Sequence, residues 1–140
     1  RPIAEVTRSY VGDYNDDLEL RYPAVSGAGD GGAPIVAVTE TPVAGAVWRR
    51  VTTGPEGLVV HAINLVGQHD TRWDAPREHP VDLDGGELRF RFVRGRLPQV
   101  RVADPDRQPR LIDVPVRLDG DHAVAALPAL HVWQVIHVAL

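Results

Sequence analysis

Between residues 57 and 76 the chain reads "GLVVHAINLVGQHDTRWDAP", and the second half of this stretch collects His69, Asp70, Arg72, Trp73 and Asp74. Carboxylates beside an indole ring suit carbohydrate chemistry. The ring packs against the apolar face of a sugar while carboxylates accept its hydroxyls or act on its glycosidic bond. Cleavage with retention requires two carboxyl groups held about 5 Å apart across a rigid cleft. Asp70 and Asp74 sit on one polar loop, which offers no such rigidity. Binding, with Trp73 as the platform and the two carboxylates at its rim, fits the loop better than cleavage, although a large aromatic ring more often caps the end of a sandwich than serves as a ligand platform. Tyr10 and Tyr14, in "SYVGDYNDD", are further loop aromatics for a sugar surface.

Other chemistry finds less support. The six histidines show no HExxH pair, and His131 and His137, read as lying on one side of the last strand, are too far apart to grip one ion without a third ligand. "DLDGG", "DPDRQ" and "LDGDH" resemble pieces of calcium loops, but none continues to the bidentate Glu of an EF-hand. They read as turns. No cysteine is present, so a thiolate metal site and a disulfide framework are both excluded. Nucleophile-elbow, phosphate-loop and dinucleotide motifs are missing. No cofactor, metal or catalytic residue is therefore expected. Arg89, Arg91, Arg94, Arg96 and Arg101 form a row expected to span two neighbouring strands as a solvated face, or as a docking surface for an acidic partner. A net charge of −4 argues against nucleic acid.

The elements that must position these residues are strands. Twelve prolines and thirteen glycines punctuate the chain, and alternating segments fall at 46–52, 58–66, 87–93, 99–103, 111–118, 122–127 and 131–140. In "ELRFRFV", Leu88, Phe90 and Phe92 share a face opposite Arg89 and Arg91. In "LIDVPVRL", Ile112, Val114, Val116 and Leu118 are predicted to form one inner row. "LVVHAINLV" is apolar on both faces, as a central strand covered on two sides would be. His61 and Asn64 then lie among apolar neighbours and need hydrogen-bond partners. Asn64 reads as a buried clamp on an adjacent turn, with ligand contact as the alternative. Short strands joined by tight turns, without crossover helices, predict an all-β antiparallel Greek-key sandwich of about seven to eight strands.

Residues 1–42 are set apart as an N-terminal segment, with one or two strands in "EVTRSYVGDYNDDLELRY", Leu18 and Leu20 on one face, and a flexible loop in "PAVSGAGDGGAP". Residues 43–140 are expected to form the sandwich. With 140 residues, a single core that buries about two-thirds of the unfolded surface is within reach. No apolar run has the length of a membrane-spanning helix. A chain that begins at Arg1 and holds no methionine reads as a piece of a longer polypeptide.

Three stretches together carry a family likeness: "VWRRVTTGPEGLVVHAINLVGQHDTRWDAP", "VRVADPDRQPRLIDVPV" and the closing "ALPALHVWQVIHVAL". In order and spacing they resemble the C-terminal region of glycoside hydrolase family 66, which contains dextranases and cycloisomaltooligosaccharide glucanotransferases. The likeness runs from about Val47 to the end. It implies an extracellular parent that hydrolyses or transglycosylates α-1,6-glucan on a (β/α)₈ barrel, with an Asp nucleophile and a Glu acid/base on that barrel. Neither can be assigned in this sequence. What the resemblance leaves is a non-catalytic accessory sandwich packed against the barrel. An α-glucan-binding module using Trp73, Asp70, Asp74, Tyr10 and Tyr14 is the alternative, and a self-association domain using a sheet edge is a third reading.

Overall fold

The computed structural model describes residues 18–23, 36–54, 57–71, 81–91 and 98–139. Strand follows strand: β1 (Leu18–Arg21), β2 (Val38–Thr39), β3 (Val47–Gly54), β4 (Gly57–Asn64), β5 (Glu87–Arg91), β6 (Gln99–Asp104), β7 (Gln108–Asp113), β8 (Val116–Asp119), β9 (His122–Ala126) and β10 (Trp133–Ala139). They form a four-stranded sheet, ordered β1-β5-β9-β8, and a six-stranded sheet, ordered β2-β3-β4-β10-β6-β7. The result is the all-β sandwich, with ten strands among the described residues. Pairing is antiparallel except between β2 and β3. The final strand, β10, inserts between β4 and β6, the out-of-sequence neighbouring that marks Greek-key sandwiches.

Period-2 alternation builds the interior. Leu58, Val60 and Ala62 of β4 point inward beside Ile136 and Val138 of β10 and Val100 and Val102 of β6. Leu18 and Leu20 of β1, Leu88 and Phe90 of β5, and Ala123 and Ala125 of β9 face them from the other sheet. Small alanines on β9 beside bulky Phe90 let the two layers interdigitate without overpacking. Arg49 of β3, itself buried, ties the layers by donating from Nη1 to the carbonyl of Leu18 at 2.8 Å, and its other terminal nitrogen pairs with Glu40. β4 is hydrogen-bonded on both sides, as its two apolar faces predict.

Backbone crowding fixes two glycines. A Cβ on Gly57, whose φ is +132°, would lie 2.0 Å from the carbonyl oxygen of Val138. One on Gly86 would lie 2.4 Å from the ring of buried Tyr22.

Three expectations are corrected here. "LIDVPVRL" is not one strand: the chain leaves β7 at Asp113, turns through Val114 and Pro115, and re-enters the opposite sheet as β8. Ile112 and Leu118 pair beside core residues Val102 and Ala123, yet both lie at sheet edges and stay 43% and 53% exposed. Proline between them has no N–H to continue a ladder, which favours the corner. The arginine row also divides, since Arg89 and Arg91 belong to the four-stranded sheet and Arg101 to the six-stranded one. Finally, His131 precedes β10, so it does not share a strand with His137. Phe92, Arg94 and Arg96 lie outside the described residues.

Because Phe90 is 1% exposed at the centre of the interior, Phe90→Ala should cost about 3–5 kcal/mol. Chemical denaturation checks this, and an unchanged midpoint would contradict the packing.

Candidate functional site

Of the sequence-predicted residues, Asn64 has the most fully built environment. It ends β4 with 0% exposure. Its Nδ2 donates to the carbonyls of Val81 and His131, each at 2.7 Å, and its Oδ1 accepts the N–H of Val66 at 3.0 Å. One side-chain amide thus fastens three chain segments: the turn after β4, the residue ahead of Leu83 and the approach to β10. These bonds turn the buried amide toward the backbone of the surrounding loops.

His61 lies on the outer face of the six-stranded sheet. Strand register places it between Arg50 of β3 and Val135 of β10. The Trp133 ring stacks on it, with centroids 5.9 Å apart and an interplanar angle of 26°. The Trp133 indole N–H also donates to His61 Nδ1 at 3.3 Å, which requires a neutral ring with its proton on Nε2. Partial burial, and then the nearby Arg50 charge, hold the His61 pKa below its usual value. The same face carries Trp48, Val59, Ile63, Val135 and His137. Trp48 is anchored through its indole N–H to the carbonyl of Glu40 at 3.1 Å, and Arg101 donates to His137 Nδ1 at 3.4 Å. This is an apolar, aromatic centre with a charged rim.

His69 and Asp70 are exposed at the end of the segment after β4. Trp73, Asp74, Tyr10 and Tyr14 lie outside the described residues. Asp119, on the surface, is held below the usual carboxylate range by its hydrogen bond and charge interaction with Arg89, 3.0 Å away. Among the described residues no cluster of three or more His, Asp or Glu side chains could hold a metal ion.

Sequence reasoning missed a cavity of about 330 Å³ where the β6–β7 turn meets the segment between β9 and β10. Asp104, Gln108 and Gln134 line it together with apolar Val102, Ile112 and Pro128. Arg107, an exposed residue, also lines it. The "DPDRQ" signal was visible, but as a turn. Asp104 Oδ1 accepts the N–H groups of Asp106 and Arg107 at 2.9 and 3.1 Å, which stiffens the turn. Asp82 joins the turn to its surroundings: it accepts from His131 Nδ1 at 2.6 Å and lies 3.7 Å from Arg107 Nη1.

The model of glycosyl hydrolase family 66 matches residues 15–137. The chain belongs to that family. The match takes in the "HAINL" strand, the "ADPD" turn and most of the closing strand, the segments that carry the resemblance in sequence. Among solved structures, a cycloisomaltooligosaccharide glucanotransferase from Paenibacillus sp., complexed with cycloisomaltoheptaose, is similar with a TM-score of 0.60 and 24% identity. The alignment covers 72% of this chain and 15% of that one. At this identity the likeness speaks for the fold. No curated protein sequence matches.

Two outcomes follow from this family 66 chain's side-chain bonds. Asn64→Ala should lower stability by about 1–3 kcal/mol, because it strands buried carbonyls and an N–H; an unchanged melting midpoint would argue against the clamp. For His61, the folded state disfavours the proton relative to the unfolded chain, so stability is complete above about pH 6.5 and declines as pH falls through that value. Titrating its imidazole by NMR should give a midpoint below that of free histidine, with the Trp133 indole N–H resonance moving in step. A midpoint at or above the free value would contradict the stacked, neutral ring.

Proposed function

We propose that this chain is a non-catalytic accessory sandwich of a dextranase-like family 66 enzyme, whose parent hydrolyses or transglycosylates α-1,6-glucan. The observation that carries this reading is the family match laid over a β-sandwich whose structural counterpart is only 15% of a glucanotransferase chain. The cavity beside the β6–β7 turn holds one carboxylate, Asp104, whereas glycoside hydrolysis by the usual route takes two.

Its partner in this reading is the catalytic barrel of the same parent. The outer face of the six-stranded sheet suits that contact: partly buried Trp48, Val59, Trp133 and Val135 at the centre, Arg50, Arg101 and His137 around them. Apolar and aromatic centres with polar rims are the usual anatomy of stable interfaces. The proposed domain limits are 43–140 with β1 and β2 contributing edge strands. An extracellular location follows from the same family reading.

Incubating dextran with the isolated chain should release no new reducing ends, and release of isomaltooligosaccharides would overturn the accessory role. Tryptophan fluorescence during titration with isomaltooligosaccharides separates the alternative in which the loop bearing Asp70, Trp73 and Asp74 binds glucan, with Tyr10 and Tyr14 contributing. A trace that Trp73→Ala leaves unaltered is expected for the accessory reading. A saturable change abolished by Trp73→Ala would favour the binding module instead.

A further inference from the structure

We infer that the cavity between the β6–β7 turn and the segment joining β9 to β10 is a binding site for a neutral saccharide, a mono- or disaccharide in size. Its volume of about 330 Å³ falls at the lower end of the range of about 300–1,000 Å³ for small-molecule sites. The inference concerns a different place from the outer sheet face and stands independently of barrel docking.

The cavity arises from unequal layers. Six strands oppose four, and β7 lies at the edge of the wider sheet. Ile112 points inward beside Val102, yet the opposite layer leaves it 43% exposed. An inward residue at that level of exposure forms the wall of a concavity and not the filling of a core. Pro128 and Ala129 supply further wall, and Gln134 holds that segment in place by donating from Nε2 to the Pro128 carbonyl at 3.0 Å.

The polar groups decide what fits between these walls. Gln108 Oε1 is buried without a hydrogen-bond donor, an acceptor that a ligand hydroxyl would satisfy. Asp104 Oδ1 is engaged by the turn's own N–H groups, and its second oxygen provides another acceptor. Arg107, paired with Asp82 at 3.7 Å, offers guanidinium donors to the same cavity. Arg107 is already met by Asp82, so beside the Asp104 carboxylate the site has no positive excess with which to hold an anion. Adjacent hydroxyls both donate and accept, which a carboxylate, a guanidinium and a primary amide can match together. The C–H face of a pyranose ring then meets Val102, Ile112 and Pro128. A purely apolar ligand would leave Gln108 Oε1 and Asp104 unpaired. An anionic one would place its charge against Asp104.

The test is a titration of the isotope-labelled chain with isomaltose, followed by amide NMR. Saturable shifts are expected at the backbone amides of Arg107 and Gln108 and at the Gln108 and Gln134 side-chain amides. Gln108→Leu removes the buried acceptor while keeping apolar volume, and should weaken binding about tenfold, the effect of one lost hydrogen bond. Arg107→Ala should weaken it in the same direction. Glucuronate should bind less tightly than glucose. Absence of shifts at these amides, equal affinity in Gln108→Leu, or tighter binding of glucuronate would each overturn the assignment. Dextran cleavage by the chain would overturn the accessory role while leaving these amide shifts untouched, so the two readings fail separately.

Discussion

The insertion of β10 between β4 and β6 is the constraint on which the rest of the structure depends. Without it, the six-stranded sheet would fall into a β2-β3-β4 piece and a β6-β7 piece, each with an unpaired edge. The approach is close enough that Gly57 has no room for a side chain beside Val138. Both surfaces of interest are built on this one strand. Trp133, Val135 and His137 face outward to the aromatic patch, while Gln134 faces inward at the cavity. Alternation along a single strand thus serves two opposite sides of the sheet.

Long-range closure of this kind has a kinetic side. β4 and β10 are separated by most of the second half of the chain, and their pairing cannot form until the intervening loops close. Asn64 lies at that junction. Its amide joins the end of β4 to His131, just before β10, and to Val81, just before Leu83; Leu83 in turn bridges Leu130. A polar side chain is therefore placed in the interior where three segments must meet in one arrangement, and hydrophobic packing alone would tolerate several.

Much of this was legible in the sequence because alternation reports the direction of side chains. Leu88 and Phe90 point inward as the pattern of "ELRFRFV" requires, Leu18 and Leu20 do likewise in β1, and the doubly apolar "LVVHAINLV" is a central strand. Direction is not continuity, however. Ile112 and Leu118 do face the interior, but they do so from opposite sheets, because the phase of the alternation carries through the corner at Val114 and Pro115. A one-dimensional pattern cannot distinguish a straight strand from a bent path that keeps its inner side inward. The cavity was illegible for a different reason. Asp104, Gln108, Pro128 and Gln134 come from separate elements, and only the tertiary register brings them together. Trp73, Asp74, Tyr10 and Tyr14, legible by residue type, lie outside the described residues.

The wide sheet and the narrow one leave their outermost strands facing water, with bulky Leu111, Ile112 and Leu118 in view. Strands so placed invite addition of a foreign strand from another molecule. Here Pro109 interrupts the donor row of β7, and Arg110 and Asp113 bring charge to it; Arg117 and Asp119 do the same for the four-residue β8. The other described outer strands, β1 and β2, are four and two residues long. A growing fibril would have to bury those charges and bridge that missing N–H, so the oily rim can remain open to a small solute without becoming a template for copies of itself.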